Sequence, residues 1–336
     1  MRSIPMAEGP EFLRIEGFLR AAGADPRDPC VRVPPGDDAT VIAPSAGEAL
    51  VISSDLCVEG VHFRRAWLDW ESVGYRAAAA ALSDLAAMAA RPIGILVSLA
   101  LPPELDSGVS DALAAGIGAC LRRHDASLLG GDLSASPGPV LLDVVAIGSA
   151  ARPIGRSGAR PGDELWVTGT LGGAGVATAG WERGLEPDPR ARAAFERPHP
   201  RLSEATALAE RAVIHAIIDL SDGLASDAAH LAAASGVRLE IELAALPLHD
   251  ILLEYADRET AVRLAIGGGE DYELLIAAPP GLRSVAAGLG GELGCGLSRV
   301  GRVVPGEHVA WLEESGREVR IEVPGWNHFR PRERDG

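Results

Sequence analysis

The stretch AIIDLSDGLASDAAHL, residues 216 to 231, runs an apolar segment into three aspartates, Asp219, Asp222 and Asp227, with Ser221 and Gly223 between them. Like charges crowded at the end of an apolar run call for something positive beside them. Other acidic stretches share this texture: PPGDDAT with Asp37 and Asp38, ISSDLCVEGVHF with Ser53, Ser54, Asp55 and His62, ALSDLAAM with Asp84, and LLGGDLS with Gly131 and Asp132. Each carboxylate is expected at or beside the end of an element, flanked by Gly or Ser, where ligand-facing residues belong. Hard cations such as Mg2+ take oxygen donors, commonly one or two carboxylates completed by water and substrate phosphates. Converging loops of this kind would hold several Mg2+ ions, which would attract the phosphates that an acidic protein repels. Asp84 is the strongest single candidate. It sits in an alanine-rich helical run where an unpaired charge is costly to bury, so a metal or an arginine should accompany it. The others also have plain structural readings: Asp222 as a helix cap, GGD as a turn, His62 between Val61 and Phe63 as a core histidine, and GGGEDYEL as a turn into a strand.

Charge and composition narrow the chemistry. The 336 residues carry a formal net charge of -16, which disfavours DNA or RNA as a partner because such binding rests on basic side chains. The chain contains no lysine, so all 31 basic residues are arginine. A Walker A loop, a protein-kinase strand lysine and Schiff-base chemistry are therefore excluded. Phosphates must be handled by metals, arginines and backbone N–H groups. The four cysteines, Cys30, Cys57, Cys120 and Cys295, are widely spaced without a CxxC pair, which speaks for reduced, buried thiols and against a zinc site or disulfide framework. Apolar runs such as PIGILVSLALPP fall well short of the roughly 20 residues of a membrane span, and the amino terminus has no signal pattern. A cytoplasmic location without membrane contact is expected.

The elements that must position these residues fall into two halves. Helices are expected over 11–22, 68–90 and 104–124, with strands at ALVISSDL, PIGILVSLAL, SLLGGDL and PVLLDVVAIG. The Gly-, Pro- and Arg-rich segment 151–164 reads as a junction, dividing a domain over 1–150 from one over 151–336. The second half opens with the strand ELWVTGT and a glycine-rich turn LGGAG. It continues through a helix at 203–213, the strand HAIIDL, a helix at 223–235, the strand VRLEIEL, a helical region near 251–265, the strand YELLIAAPP and short final strands. This alternation predicts α/β or α+β architecture in both halves. Apolar strands such as PIGILVSLAL would leave an apolar face or edge open, so a homodimer through the amino-terminal half is expected.

Read in order, GDD, SSDLCVEGVHF, LSDLAAM, GGD, RSGARPGD, TGTLG, HPR, IDLSDGL, GGEDYEL and GWNHF resemble the thiamine-monophosphate kinases. That family lies within the superfamily of aminoimidazole ribonucleotide synthetase and selenophosphate synthetase, and the likeness runs from about residue 8 to about residue 329. The resemblance implies a two-domain fold in which the N-terminal sheet forms a dimer interface and the C-terminal α/β domain completes a cleft. It also implies ATP- and Mg2+-dependent phosphorylation of thiamine monophosphate to thiamine diphosphate. Carried over residue by residue, it places Asp38, Ser53, Ser54, Asp55, Asp84, Asp132, Asp219 and Asp222 on the Mg2+ cluster, mostly through side chains and partly through a main-chain carbonyl. Gly131, Asp132, Arg156 and Ser221 fall on ATP, with Arg156 as the phosphate clamp. Asp55, Asp84, Asp132 and Asp219 would act in catalysis through bound Mg2+, together with Arg156. His62, Glu270 and Trp326 fall on the thiamine phosphate, where an aromatic face beside an acid suits a cationic thiazolium. Two departures, Ala81 for a common Asn and Ala89 for a usual Gly, flank the Asp84 segment without removing a ligand.

For that phosphorylation, phosphoryl-transfer chemistry predicts direct in-line transfer, since the acceptor is itself an ionised phosphate that needs no strong base and carboxylates engaged with Mg2+ are weak nucleophiles. Two other readings stand beside it. One is a superfamily sibling that uses ATP on another substrate, though MRSIPMAEGPEF lacks the cysteine of a selenophosphate synthetase. The other is a non-catalytic protein that binds thiamine phosphates.

Overall fold

The run YRAAAAALSDLAA forms a helix that is buried on nearly every side, because alanine lets neighbouring elements approach closely at little entropic cost. The Asp69 side chain caps its start by accepting from the Ser72 N–H. This helix is the axis of the molecule. In the computed structural model, which describes residues 10–23, 28–33 and 39–321, elements of both halves pack against it.

In chain order the first half comprises α1 (Pro10–Ala22), β1 (Val31–Val33), β2 (Val41–Ile42), β3 (Ala49–Val58), α2 (Trp70–Ala87), β4 (Arg91–Leu101), α3 (Ser107–Arg123), β5 (Ser127–Ala135) and β6 (Leu141–Ala150). The second half comprises β7 (Glu164–Thr168), α4 (Gly173–Glu182), α5 (Pro189–Glu196), α6 (Leu202–Arg211), β8 (Ala216–Leu220), α7 (Leu224–Ser235) and β9 (Arg238–Glu242). It closes with α8 (Asp250–Tyr255), α9 (Arg258–Gly267), β10 (Glu273–Ala278), α10 (Arg283–Leu293), β11 (Leu297–Val304), β12 (Val309–Leu312) and β13 (Glu318–Val319).

The N-terminal sheet has four strands in the order β3-β6-β4-β5, with only the β4–β5 pair parallel. Helices α2 and α3 cover one face, burying Ile95, Val97, Leu99 and Leu101 of β4 and Leu142, Val144 and Ala146 of β6. The two helices cross so tightly that a Cβ on Gly116 would lie 1.8 Å from the Glu71 carbonyl oxygen, which reserves that position for glycine. The other face is open along β3, where Leu50, Ile52 and Leu56 are exposed. The strand PIGILVSLAL is not that open edge. As β4 it is central and mostly buried, and the exposed apolar row belongs to β3.

The C-terminal sheet has seven strands in the order β13-β12-β9-β11-β7-β10-β8, antiparallel except for β12 beside β9. One face packs on α7 and α9 through Leu224, Leu231, Ala265 and Ile266. The other face, with Trp166, Ile217, Leu274 and Ile276, merges with the N-terminal core around α2 into one continuous apolar cluster. Strand β6 ends at Ala150 and β7 begins at Glu164, with no helix or strand between.

Three local readings differ from the sequence expectation. Helices α4, α5 and α10 appear where no helix was expected, and the LGGAG turn is largely the first turn of α4. Its glycines disfavour helix locally, but burial of Ala174, Ala177 and Trp181 overrides that preference. The helical region near 251–265 is two helices, because the Asp257 side chain accepts from the Thr260 N–H and starts α9 anew.

Candidate active site between the two domains

Helix α2 presents chemistry to both sheets. Ser53 on β3 donates its hydroxyl to Asp84, and Ser83 donates to Asp219 Oδ2 of β8 at 2.8 Å. Two adjacent residues of one helix thus tie a strand of each domain. Arg76, one heptad before Ser83 and so on the same helical face, pairs with Glu270 of the other domain. Only the Arg76–Glu270 link pairs opposite charges; Asp84 and Asp219 are met by neutral hydroxyls.

The carboxylates around this seam repel one another. Burial, with the Asp84 and Glu270 charges added, pushes Asp55 up to about 6. Burial also raises Asp84, opposed by the Ser53 hydrogen bond and the Arg156 charge. Asp219 is pushed to about 7, first by burial and then by the charge of Asp84, with the Ser83 hydrogen bond and others opposing. Asp227 is pushed to about 8 by burial and by Asp219 and Asp222, while its carboxylate accepts from the Asp222 N–H at 3.1 Å. Burial raises all four, neighbouring negative charge adds to it at Asp55, Asp219 and Asp227, and a cation placed among them would favour the ionised forms. Among the described residues no group of three or more Asp, Glu, His or Cys side chains is arranged to hold a metal ion by itself. The donors still suit a hard cation, because Mg2+ needs only one or two carboxylates when water and phosphate oxygens complete its octahedron.

The sheet divides the remaining candidates. Side chains alternate along a strand, so Ser54 faces away from Ser53 and Asp55, and its hydroxyl donates to Asp143 at 2.8 Å on the open face. The expected Ser54 side chain is therefore outside the Asp55–Asp84–Asp219 group. Asp132 is aligned with Ser98, which is aligned with Asp143, so it too belongs to the open face. Both Asp55 and Asp132 lie inside strands, not at element ends as expected. Gly131 precedes Asp132 at a φ of 155°, and a Cβ there would stand 1.9 Å from the Val97 carbonyl oxygen.

On the other side, the Ser221 carbonyl accepts from the Glu270 N–H at 2.8 Å, joining the SDG turn to the GGGEDY loop. Asp222 does not cap α7. Gly223 occupies the cap position, and the Asp222 N–H is itself held by Asp227. Arg156 is exposed in the junction, with its charge acting on Asp84. His62 is half-buried, and its Nδ1 accepts from the Val58 N–H at 3.0 Å. Glu270 accepts from the Tyr272 hydroxyl at 2.8 Å as well as from Arg76. Asp38 and Trp326 lie outside the described residues.

Sequence reasoning passed over Arg76, Ser83 and Tyr272, and gave Asp227 no role. Arg76 did carry a signal, being the lone cation in an alanine run at helical spacing from LSD. Ser83 and Asp227 look like ordinary helix residues until the strand they face is known.

The AIR synthase related protein N-terminal domain model matches residues 36–150, and the corresponding C-terminal domain model matches residues 160–312. The thiamine-monophosphate kinase of Salmonella typhimurium is 34% identical over 299 residues, covering 88% of this chain and 91% of that protein. That of Synechococcus elongatus is 40% identical over 256 residues, covering 73% and 77%. The crystal structure of thiamine-monophosphate kinase from Stenotrophomonas maltophilia K279a superposes with a TM-score of 0.81 at 33% identity, covering 90% of this chain and 96% of that one. AaThiL complexed with AMPPCP and TMP superposes with a TM-score of 0.75 at 29% identity, covering 97% and 100%. With the two domain models together matching most of the chain and relatives of this similarity over most of its length, the chain belongs to the thiamine-monophosphate kinase family of AIR synthase related proteins.

Proposed function

We propose that this protein transfers the γ-phosphoryl group of ATP directly to the phosphate of thiamine monophosphate, giving thiamine diphosphate and ADP, with Mg2+ as the required cation. The observation that carries the reading is the convergence of Asp55, Asp84 and Asp219, from both domains, into one mutually repelling group. Its relatives by name use thiamine monophosphate, and AaThiL binds an ATP analogue together with TMP.

Asp55, Asp84 and Asp219, with Asp38 and Asp222, would hold the cation, and the Ser53 and Ser83 hydroxyls keep Asp84 and Asp219 oriented. The bound cation supplies positive charge between two polyanions and neutralises the charge that develops on the transferred group. Arg156, the exposed cation of the junction, clamps phosphate in a chain without lysine. The Ser221 turn receives the nucleotide, while His62, Glu270 and Trp326 receive the acceptor. The acceptor oxygen is already ionised near neutral pH, so no residue needs to remove a proton from it. A carboxylate engaged with a cation is a weak nucleophile, which favours direct transfer over a phosphorylated enzyme.

The exposed apolar row of Leu50, Ile52 and Leu56 supports a homodimer built on the open face. Ser54 and Asp132 lie on that same face, so dimerisation would bury them close to a second copy. Four free, buried cysteines suit a reducing cytoplasm.

The test is an assay of purified protein with ATP, Mg2+ and thiamine monophosphate, with the product identified by mass. Thiamine diphosphate and ADP should form in equal amounts, only with a divalent cation. Initial-velocity lines should intersect, and no label from γ-labelled ATP should remain on the protein. Absence of thiamine diphosphate at saturating ATP would overturn the reading.

A further inference from the structure

We propose that Arg76 and Tyr272 set acceptor specificity by holding one oxygen of Glu270 in a charge-neutral pair, so that Glu270 recognises the acceptor as a hydrogen-bond acceptor and not as a counter-ion. The proposal rests on the reading of this chain as a thiamine-monophosphate kinase with Glu270 beside the acceptor.

Arg76 is unusual for a charged residue. Its side chain is 3% exposed, inside helix α2, and its guanidinium reaches across the domain seam to Glu270 Oε2. A second nitrogen donates to the Phe195 carbonyl oxygen at 2.9 Å, and the guanidinium carbon stands 3.8 Å from the centre of the Phe195 ring. An arginine so enclosed stays protonated and fixes its partner's geometry. The Tyr272 hydroxyl donates to the same Oε2 at 2.8 Å. Among the described residues no hydrogen bond reaches Oε1, on a side chain that keeps 25% of its surface exposed.

The backbone reinforces this aim. Gly269, Glu270 and Tyr272 have φ of 63°, 64° and 51°, the left-handed region that non-glycine residues adopt only under constraint. The Glu270 N–H is held by the Ser221 carbonyl and the Tyr272 N–H by the Leu220 carbonyl, at 2.8 and 2.9 Å. The loop is therefore pinned to the strand end that carries Asp219. A carboxylate neutralised at contact by a guanidinium exerts little net pull on a further cation. What it still offers is one oriented oxygen, which suits an N–H donor on a heteroaromatic ring.

The experiment compares two acceptors with ATP and Mg2+: thiamine monophosphate and the monophosphate of its thiophene analogue, which keeps the shape and amino group but has no positive charge. In the wild type the two KM values should agree within about threefold, the scale of a compensated charge contact. In Arg76→Met the bare Glu270 carboxylate should raise KM for both acceptors by about tenfold and create a preference for the cationic one, with kcat changed less. Arg76→Lys, which keeps the charge, should retain the wild-type KM ratio, an outcome that a merely structural role of Arg76 would not predict. A wild type that prefers the cationic acceptor by more than about tenfold, or an Arg76→Met variant that binds thiamine monophosphate more tightly, would overturn the proposal. If Arg76→Met fails to fold, Tyr272→Phe removes one hydrogen bond alone. KM for both acceptors should then rise about threefold at an unchanged ratio, and an unaltered KM would overturn the proposal. A wild type inert toward thiamine monophosphate overturns the kinase reading itself, and this inference with it.

Discussion

The Ser83 hydroxyl donates to Asp219 Oδ2 at 2.8 Å, and both residues are buried where helix α2 of the first domain meets strand β8 of the second. One neutral hydrogen bond thus orients a buried carboxylate across the domain seam. Ser83→Ala should lower divalent-cation affinity by about tenfold, the scale of a lost hydrogen bond to a charged group. Ser83→Thr should retain most of that affinity. Calorimetric titration with Mn2+ and Mg2+ checks this, and equal affinity in Ser83→Ala would remove the positioning role.

Asp84→Asn keeps the side-chain size and discards a charge that burial already disfavours. Turnover should fall by about a hundredfold or more, as expected when an anionic metal donor is lost. The melting temperature should hold or rise, because the folded state no longer accommodates an ionised carboxylate. Turnover and thermal unfolding measured on the same sample decide between a ligand and a structural helix residue.

Ile52 is 62% exposed on strand β3, with Leu50 and Leu56 on the same open face. Ile52→Asp should convert a dimer into monomer without disturbing the N-terminal core, since that side chain faces away from α2 and α3. Light scattering at micromolar concentration reports the change. A wild type that is monomeric there would contradict the proposed dimer.

His124 is held down to about 4 by burial first, then by His199 and Arg123, with Arg201 also opposing its charge and Glu204 favouring it. Its ring centre stands 4.9 Å from that of His199, across the seam between α3 and α6. The unfolded chain takes up this proton first, so the stability contribution is intact above the ordinary value near 6.5 and is lost as pH falls toward 4. Between roughly pH 7.5 and roughly pH 5 the loss should be on the order of 2 kcal/mol. Asp55, Asp219 and Asp227, raised to about 6, 7 and 8, act with the opposite sign in the same window. Relative to wild type, therefore, His124→Asn should gain about that amount of stability on going from the higher pH to the lower. Glu204, held down to about 2, acts with the same sign as His124 but in a lower window, so it leaves this range unaffected. Denaturant melts at the two pH values check the difference.

Much of this molecule was legible in the chain alone. Hydrophobic periodicity and turn residues placed most helices and strands within a few residues, because those signals depend on near neighbours along the backbone. The order of the acidic motifs pointed to the family before any contact was known. Absence of lysine excluded whole classes of phosphate chemistry without reference to shape. Tertiary structure alone decided which acids share a site. A strand turns alternate residues to opposite faces, so adjacent Ser53 and Ser54 part company while Asp55 and Asp219, far apart in sequence, influence each other's charge. Arg76 likewise shows in the sequence only as the lone cation of an alanine run. Its role becomes visible only when folding brings the GGGEDY loop against α2, because a buried charge is defined by the partner that crosses to meet it.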